Sequence, residues 1–313
     1  MTRGPIAEER PATIVFATDN AYCQHLAVAL VTLLEHNRHL DLDIRVICVA
    51  VAESNKQRLL EVCSKFGRSA RLIDFDPTPY VGFRIDGHIS WTSYARIFLP
   101  GIIEPEIGRL LYLDSDIVVL DAIDPLLKVD IGDKPIAGIP QPYTDRREEL
   151  GIPPDKPYVN AGVLILNLDV WRRERITEHL VDFIESNSAR LKFHDQDALN
   201  AFFYDRVLPL PFRWNLHHQV FAATAEHLGC SDADRRRIFA EPGIVHFTTP
   251  SKPWHFLNDH AFKRAYLRAL RETPYRDYRY PDVTPWNVSW KLGRRLKWAL
   301  MWLGGRPRNL RYM

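Results

Sequence analysis

Between Thr13 and Asp76 the chain alternates two kinds of apolar segment, and this alternation limits the possible folds more than any other feature. TIVFAT (13–18), DIRVICVAV (43–51) and ARLIDFD (70–76) are short β-branched or aromatic runs, the pattern of buried strands. YCQHLAVALVTLLEHN (22–37) and SNKQRLLEVCSKFG (54–67) are longer and apolar-periodic, as helices are, with Ser54 placed to cap the second and Gly67 just past its end. Strand, helix, strand, helix, strand in this order predicts an α/β layer with a mostly parallel sheet. The rest extends it. WTSYARIFL (91–99) reads as a short helix, and RLLYLDSDIVVL (109–120) as a fourth strand, buried on both faces because its apolar residues do not alternate. IAGIP (136–140) and GVLILNL (162–168) are further strands, and helices are expected over 170–187, 195–204 and 260–272. The Pro-, His- and Trp-rich stretch from about 205 to 260 reads as mostly irregular.

A chain of 313 residues, 46% of them hydrophobic, suits one large domain, with or without an appendage. Cys23, Cys48, Cys63 and Cys230 form no CxxC pair, which favours reduced thiols in a cytosolic compartment over disulfides or a zinc site. The polar start MTRGPIAEERPA lacks the apolar core of a secretory signal, so the sequon Asn287-Val288-Ser289 carries no weight. The net charge of +2 conceals an asymmetry. Residues 286–313 hold seven Lys/Arg and no acid, which leaves the remaining chain at −5 and makes it a poor binder of nucleic acid.

Within RLLYLDSDIVVL stand Asp114 and Asp116. In an open α/β sheet ligands bind beyond the carboxyl ends of the strands, and Asp19, Asp76 and Asp114 all fall at such ends. Two residues apart on a strand, side chains share a face, so Asp114 and Asp116 are expected to converge. Unpaired in an apolar setting, they would repel and lose solvation. A hard divalent cation such as Mg(II) or Mn(II) removes both difficulties. A turn with both carboxylates in water is the alternative, but the Ile-Val-Val-Leu that follows favours the metal. GIVHFTTPSKPW (243–254) offers His246 as a third ligand that suits Mn(II), and Lys252 to meet a diphosphate. A buried structural histidine and a surface lysine are the plainer reading of that pair.

LYLDSDIVV resembles the DxD segment of glycosyltransferase family 8, the retaining GT-A enzymes that include bacterial lipopolysaccharide galactosyltransferases and glucosyltransferases. IVFATDNAY resembles the family's first nucleotide-binding strand, HISWTSYARIFL the helix with its donor-binding Arg, and YVNAGVLILNLDVW its NAGV segment. FHDQDALN resembles its DQD motif and HFTTPSKPW its closing His-…-Lys-Pro-Trp loop, so the motifs run in order over roughly residues 13 to 256. The resemblance implies a GT-A-type, Rossmann-like mixed sheet, mostly parallel and flanked by helices, over 13–275. A flexible N-terminus, 1–12, would precede it, and a basic aromatic membrane-association segment, 276–313, would follow. It implies that Asp19, Asn20 and Tyr22 hold the uridine, Tyr22 by stacking and Asp19 by a hydrogen bond to the base. Asp114, Asp116 and His246 would ligate Mn(II), with Mg(II) as the alternative ion. Arg96, Ser115, Asn160, Ala161 and Lys252 would contact the UDP-sugar. Asp195 and Gln196 would line the sugar and its anomeric carbon as the catalytic candidates, with front-face substitution in an oxocarbenium-like ion pair. Outside that context Asp195 reads as a helix cap, Asn160 as a turn residue and Arg96 as an ion-pair partner. Thr249 stands where the family has Gly, with Pro250 next. That removes a close backbone approach to phosphate and one amide donor.

WNVSWKLGRRLKWALMWLGG (286–305) combines Trp, Leu and Lys/Arg at helical spacing, and WALMWL is far short of the ~20 residues that span a bilayer. It reads as an interfacial helix on anionic lipid, with an oligomer contact or a folded-back tail as alternatives. The expectation is therefore a UDP-hexose-dependent retaining transferase, with galactose or glucose as the sugar. It would be peripheral to the cytoplasmic face of the inner membrane and extend a glycan acceptor, including a lipid-linked one such as lipopolysaccharide. A metal-dependent nucleotide-sugar hydrolase and a non-catalytic UDP-sugar binding protein are the competing classes.

Overall fold

The structure, a computed structural model, describes residues 10–78 and 91–303, with the backbone alone over 295–303. Most of the expected flexible N-terminus and the last residues of the tail lie outside it. The strands are β1 (Ala12–Asp19), β2 (Leu42–Val49), β3 (Ala70–Asp74), β4 (Arg109–Leu113), β5 (Ile117–Val119), β6 (Ile136–Pro140), β7 (Val159–Asn167), β8 (Val207–Pro209) and β9 (Ile244–His246). Seven of them form one sheet in the order β3-β2-β1-β4-β7-β6-β8, in which only β7 runs against the others. The expected α/β class and mostly parallel sheet are what is found.

Both faces are covered because the strands alternate. Ile14, Phe16, Leu111 and Leu113 point to one core, shared with helix Cys23–His36. Val15, Ala17, Leu110 and Tyr112 point to a second core, closed by Tyr94, Trp171, Leu180 and Phe203 from helices that follow β3 and β7. Helix Glu53–Lys65 ends as its sequence implies. Gly67 takes φ +67°, and the amides of Gly67 and Arg68 return to the carbonyls of Ser64 and Cys63.

Four expectations need correction. Ser54 is not the cap: the helix starts at Glu53 after an extended Ala52, and no side chain caps it. The acid at its first turn complements the dipole, and Asn20 Oδ1 fixes the entry by accepting from Ala52 N at 3.0 Å. The third strand ends at Asp74, not Asp76. RLLYLDSDIVVL is two strands in two sheets. β4 lies between β1 and β7, whereas β5 pairs antiparallel with β9 alone. The ladder changes partner inside the turn, where Asp114 N bonds Gly162 O at 2.8 Å and Asp116 O accepts from Phe247 N at 3.0 Å. The stretch expected to be mostly irregular supplies β8, β9 and the short helices His218–Ala222 and Asp232–Ala240.

The C-terminal part returns to the loop after β9. Lys263 Nζ donates to the carbonyls of His255, Phe256 and Asn258, Lys291 Nζ to Phe256, and Arg294 Nη2 to Leu257 at 3.1 Å. Asp282 accepts from the Phe256 amide at 2.7 Å. Lys291 and Arg294 lie on helix Pro285–Leu303, so these bonds cross the expected boundary at residue 275.

The other edge of β5 depends on helix Cys23–His36. Val119 N donates to Thr32 Oγ1 at 3.0 Å, and Ile123 N to Asn37 Oδ1 at 2.8 Å. Thr32 is fully buried. Replacing it with valine keeps the shape and strands the Val119 amide. We expect Thr32→Val to lower unfolding free energy by about 1–3 kcal/mol, measured by equilibrium urea denaturation.

Candidate functional site

The turn between β4 and β5 brings both carboxylates to the end of the sheet, and β9 brings the imidazole. Ile117 faces His246 across the β5–β9 pair, and this pairing places His246 Nε2 3.0 Å from Asp116 Oδ1 and 3.6 Å from Asp114 Oδ2. The ligand atoms of Asp114, Asp116 and His246 lie within 4.8 Å of one another. The two carboxylates converge through a turn that changes sheets, not through the shared face of one strand.

Asp114 divides its oxygens. Oδ1 accepts from Arg96 Nη2 at 3.0 Å and Tyr112 OH at 3.1 Å, which leaves Oδ2 on the side of His246. Arg96 is buried. It lies 4.5 Å above the Tyr112 ring, donates through Nε to Ser93 O and through Nη1 to the Ala161 carbonyl, and so works underneath the site as a support for Asp114. Asp116 accepts from Lys252 Nζ at 2.6 Å. Burial pushes its carboxyl up, but Lys252 and His246 outweigh burial and hold it well below the usual range. Asp195 is the opposite case. Burial pushes its carboxyl up to about 7, against the nearby Arg96 and aided by Asp114. Its Oδ2 lies 3.1 Å from Arg96 Nε, yet it is buried without a hydrogen-bond donor.

Gln196 lies with Asp195 in the first turn of helix His194–Phe203, and both ends of its amide are engaged. Oε1 accepts from Asn160 Nδ2 at 3.0 Å and Ala161 N at 3.1 Å, and Nε2 donates to Tyr158 OH at 3.1 Å. Tyr158 in turn donates to Asp197, which forms a buried ion pair with Arg146 at 2.7 Å. Ser115 does not project toward open space: its hydroxyl donates to Ala17 O at 2.7 Å and ties the acidic turn to β1. At the end of β1, Asp19 Oδ1 receives the amides of Ala21 and Tyr22, each at 3.0 Å. Asn20 Oδ1 is bonded to Ala52 and Asn55. Tyr22 packs edge-on against Trp254 and is close enough to the acids that burial, then Asp116, Asp19 and Asp114, raise its phenol well above the usual range. Trp254 stacks on the buried His25 at 3.5 Å, and this stack holds the Lys252 loop against helix Cys23–His36. Thr249 is not among the positive-φ residues, and its hydroxyl donates to Ser251 O at 2.9 Å, so this loop does not need Gly there.

Residue-by-residue reading of the sequence missed Gly162, Tyr158 and Asn215. A Cβ on Gly162 would lie 2.1 Å from His246 Cε1 and 2.7 Å from Asp114 Oδ2. Its backbone forms the floor under the ligand atoms. Asn215 accepts from His246 Nδ1 at 3.1 Å. Neither residue has a chemical signature in sequence, since a glycine in a strand and an asparagine after Trp214 are common in many settings. Two carboxylates and an imidazole lone pair repel unless a cation lies among them. Lys252 partly supplies that charge here, and an all-oxygen-and-nitrogen trio of this kind fits a borderline-to-hard divalent ion.

The glycosyl transferase family 8 sequence model matches residues 13–258. General stress protein A of Bacillus subtilis (strain 168) is 31% identical over 285 residues, covering 88% of this chain and 94% of its own. The lipopolysaccharide 1,2-glucosyltransferase of Escherichia coli (strain K12) is 23% identical over 270 residues, covering 84% and 79%. Among solved structures, the galactosyltransferase LgtC in complex with donor and acceptor sugar analogues superposes with a TM-score of 0.75 at 27% identity, covering 84% of this chain and 96% of its own.

Gly162→Ala is the cleanest probe of the trio, because it touches no ligand atom chemically. Its methyl group must displace the His246 ring or Asp114, so Mn(II) affinity should fall by roughly 10–100-fold. Titration of free Mn(II) by electron paramagnetic resonance reads this directly.

Proposed function

Since the chain belongs to glycosyl transferase family 8 and carries the GT-A fold, we propose that it is a retaining hexosyltransferase that moves galactose or glucose from a UDP-sugar to a glycan acceptor, lipopolysaccharide or another cell-surface glycan. One observation carries this reading: the Asp114–Asp116–His246 trio lies next to Asp195, whose buried Oδ2 has no donor. Asp114 Oδ2, Asp116 and His246 Nε2 are the atoms that would hold Mn(II), or Mg(II) in its place. When bound, such an ion supplies a Lewis acid for the leaving diphosphate.

The chain's own residues do the rest. Lys252, already paired with Asp116, is placed to add positive charge where the diphosphate gains negative charge, the place where fixed cations stabilise the transition state most. Arg96 holds Asp114 in orientation. Asp195 Oδ2, ion-paired with Arg96 but accepting no hydrogen bond, is suited to a sugar hydroxyl. Gln196, with both ends of its amide engaged, is not a nucleophile. It shapes the pocket with Asn160 and Ala161 while the bond breaks, which favours front-face substitution over a covalent intermediate. Asp19, Asn20 and Tyr22, at the end of β1, are the residues expected to take the uridine.

A donor-hydrolysing enzyme is the second reading, favoured by the Asp195 carboxyl near 7, a base able to take a proton from water at neutral pH. Release of UDP without acceptor, as fast as turnover with it, would select that reading. The glycosyltransferase is tested by calorimetric titration with UDP-glucose and UDP-galactose, each with Mn(II) and with EDTA. We expect binding of one donor at micromolar to submillimolar affinity that EDTA abolishes. Asp195→Ala should keep UDP affinity and lose most of the transfer rate. Binding that ignores EDTA overturns the metal, and binding of neither donor overturns the donor class.

For the C-terminal helix the proposed partner is an anionic membrane surface, on the cytoplasmic face of the inner membrane. Trp286 is 77%, Trp290 47% and Leu292 60% exposed, and among the described residues no helix is long and apolar enough to cross a membrane. Lys291 and Arg294 are engaged with the protein, so apolar insertion has a larger share than charge in what the described side chains offer. Trp286→Ser with Trp290→Ser should weaken sedimentation with phosphatidylglycerol vesicles by about 10-fold or more.

A further inference from the structure

A line of hydrogen bonds runs from the His246 ring to Gln196, and its polarity can be read because two backbone N–H groups can only donate. Gly162 N donates to Asn160 Oδ1 at 3.0 Å, and the same oxygen accepts from Asn215 Nδ2 at 2.8 Å. The amide oxygen of Asn215 is therefore the atom that faces His246 Nδ1 at 3.1 Å. Nδ1 must therefore carry a proton, which leaves Nε2 as the ring atom that faces Asp114 and Asp116. At the other end, Ala161 N and Asn160 Nδ2 both donate to Gln196 Oε1, which turns the Gln196 amino group to Tyr158. Asn215 is fully buried and belongs to neither end.

We infer that Asn215 is a positioning residue with two separate tasks: its carbonyl sets His246 as an Nε2 ligand, and its amino group holds Asn160 and, through it, Gln196. The metal ligand and the sugar-facing amide are thereby oriented by one side chain. The inference rests on the site reading given above. It predicts that the two tasks can be separated. Asn215→Asp keeps an acceptor for Nδ1–H but puts a carboxylate oxygen against Asn160 Oδ1. Asn215→Ala removes both contacts.

The experiment combines three measurements. In 15N-histidine-labelled wild type, the His246 ring, identified by its loss in His246→Gln, should show a proton on Nδ1. A ring with no proton on Nδ1 overturns the inference whether or not metal binds. By Mn(II) titration, Asn215→Ala should bind roughly 10–100-fold more weakly than wild type, and Asn215→Asp within about 10-fold of it. The rate of UDP release by Asn215→Asp should fall by about 10-fold or more with KM for the donor little changed. Equal metal affinity in all three proteins, or an unaltered rate in Asn215→Asp, overturns it. If Asn215→Ala does not fold, the wild-type spectrum and Asn215→Asp decide. A wild type that binds no Mn(II) would instead overturn the metal reading and leave the proton position as the test.

Discussion

Ile117 and His246 pair across β5 and β9, and the candidate site exists because of that pairing. It joins a turn at residues 114–116 to an imidazole 130 positions from Asp116. Among the described residues, β5 has no strand beside it other than β9. Its free edge is held by the hydroxyl of Thr32, from a helix whose main task is to cover the sheet. The geometry of the acidic turn is thus inherited from the large core, with the Thr32 bond at the edge of β5 and the Ser115 bond to β1 as its side-chain ties.

Charge within the site is arranged by giving each carboxylate a different neighbour. Asp114 rests on Arg96 and Tyr112 with one oxygen and presents the other. Asp116 is kept ionised by Lys252 and His246, and Asp195, with burial dominant, holds its proton more tightly. Three acids in one pocket therefore do not compete for one state. Repulsion that would otherwise disfavour the fold is divided among fixed cations and one carboxyl that is ready to be neutral.

Much of this was legible in the sequence. β-branched runs of the right length mark β1 to β3 and helical periodicity marks the helices between them, because burial on both faces of a sheet leaves that pattern. The family resemblance, borne out by the match over residues 13–258, located the motif segments in order. The break inside RLLYLDSDIVVL was not legible, since both halves are equally apolar and only the partner changes. Asn215 was not legible either. Its role depends on where Gly162 and His246 meet, and nothing local to Trp214-Asn215-Leu216 carries that information. Ser54 failed as a cap because a distant residue, Asn20, already fixed the entry of the chain.

Four consecutive carbonyls, His255 to Asn258, are gripped by the cationic side chains of Lys263, Lys291 and Arg294. These carbonyls begin three residues after Lys252. The last helix and the loop that reaches Asp116 are therefore two parts of a single mechanical unit. Reciprocity follows from this: to whatever degree an outside surface prefers one setting of the helix, it alters affinity at the loop, and a ligand at the loop alters the hold on that surface by the same factor.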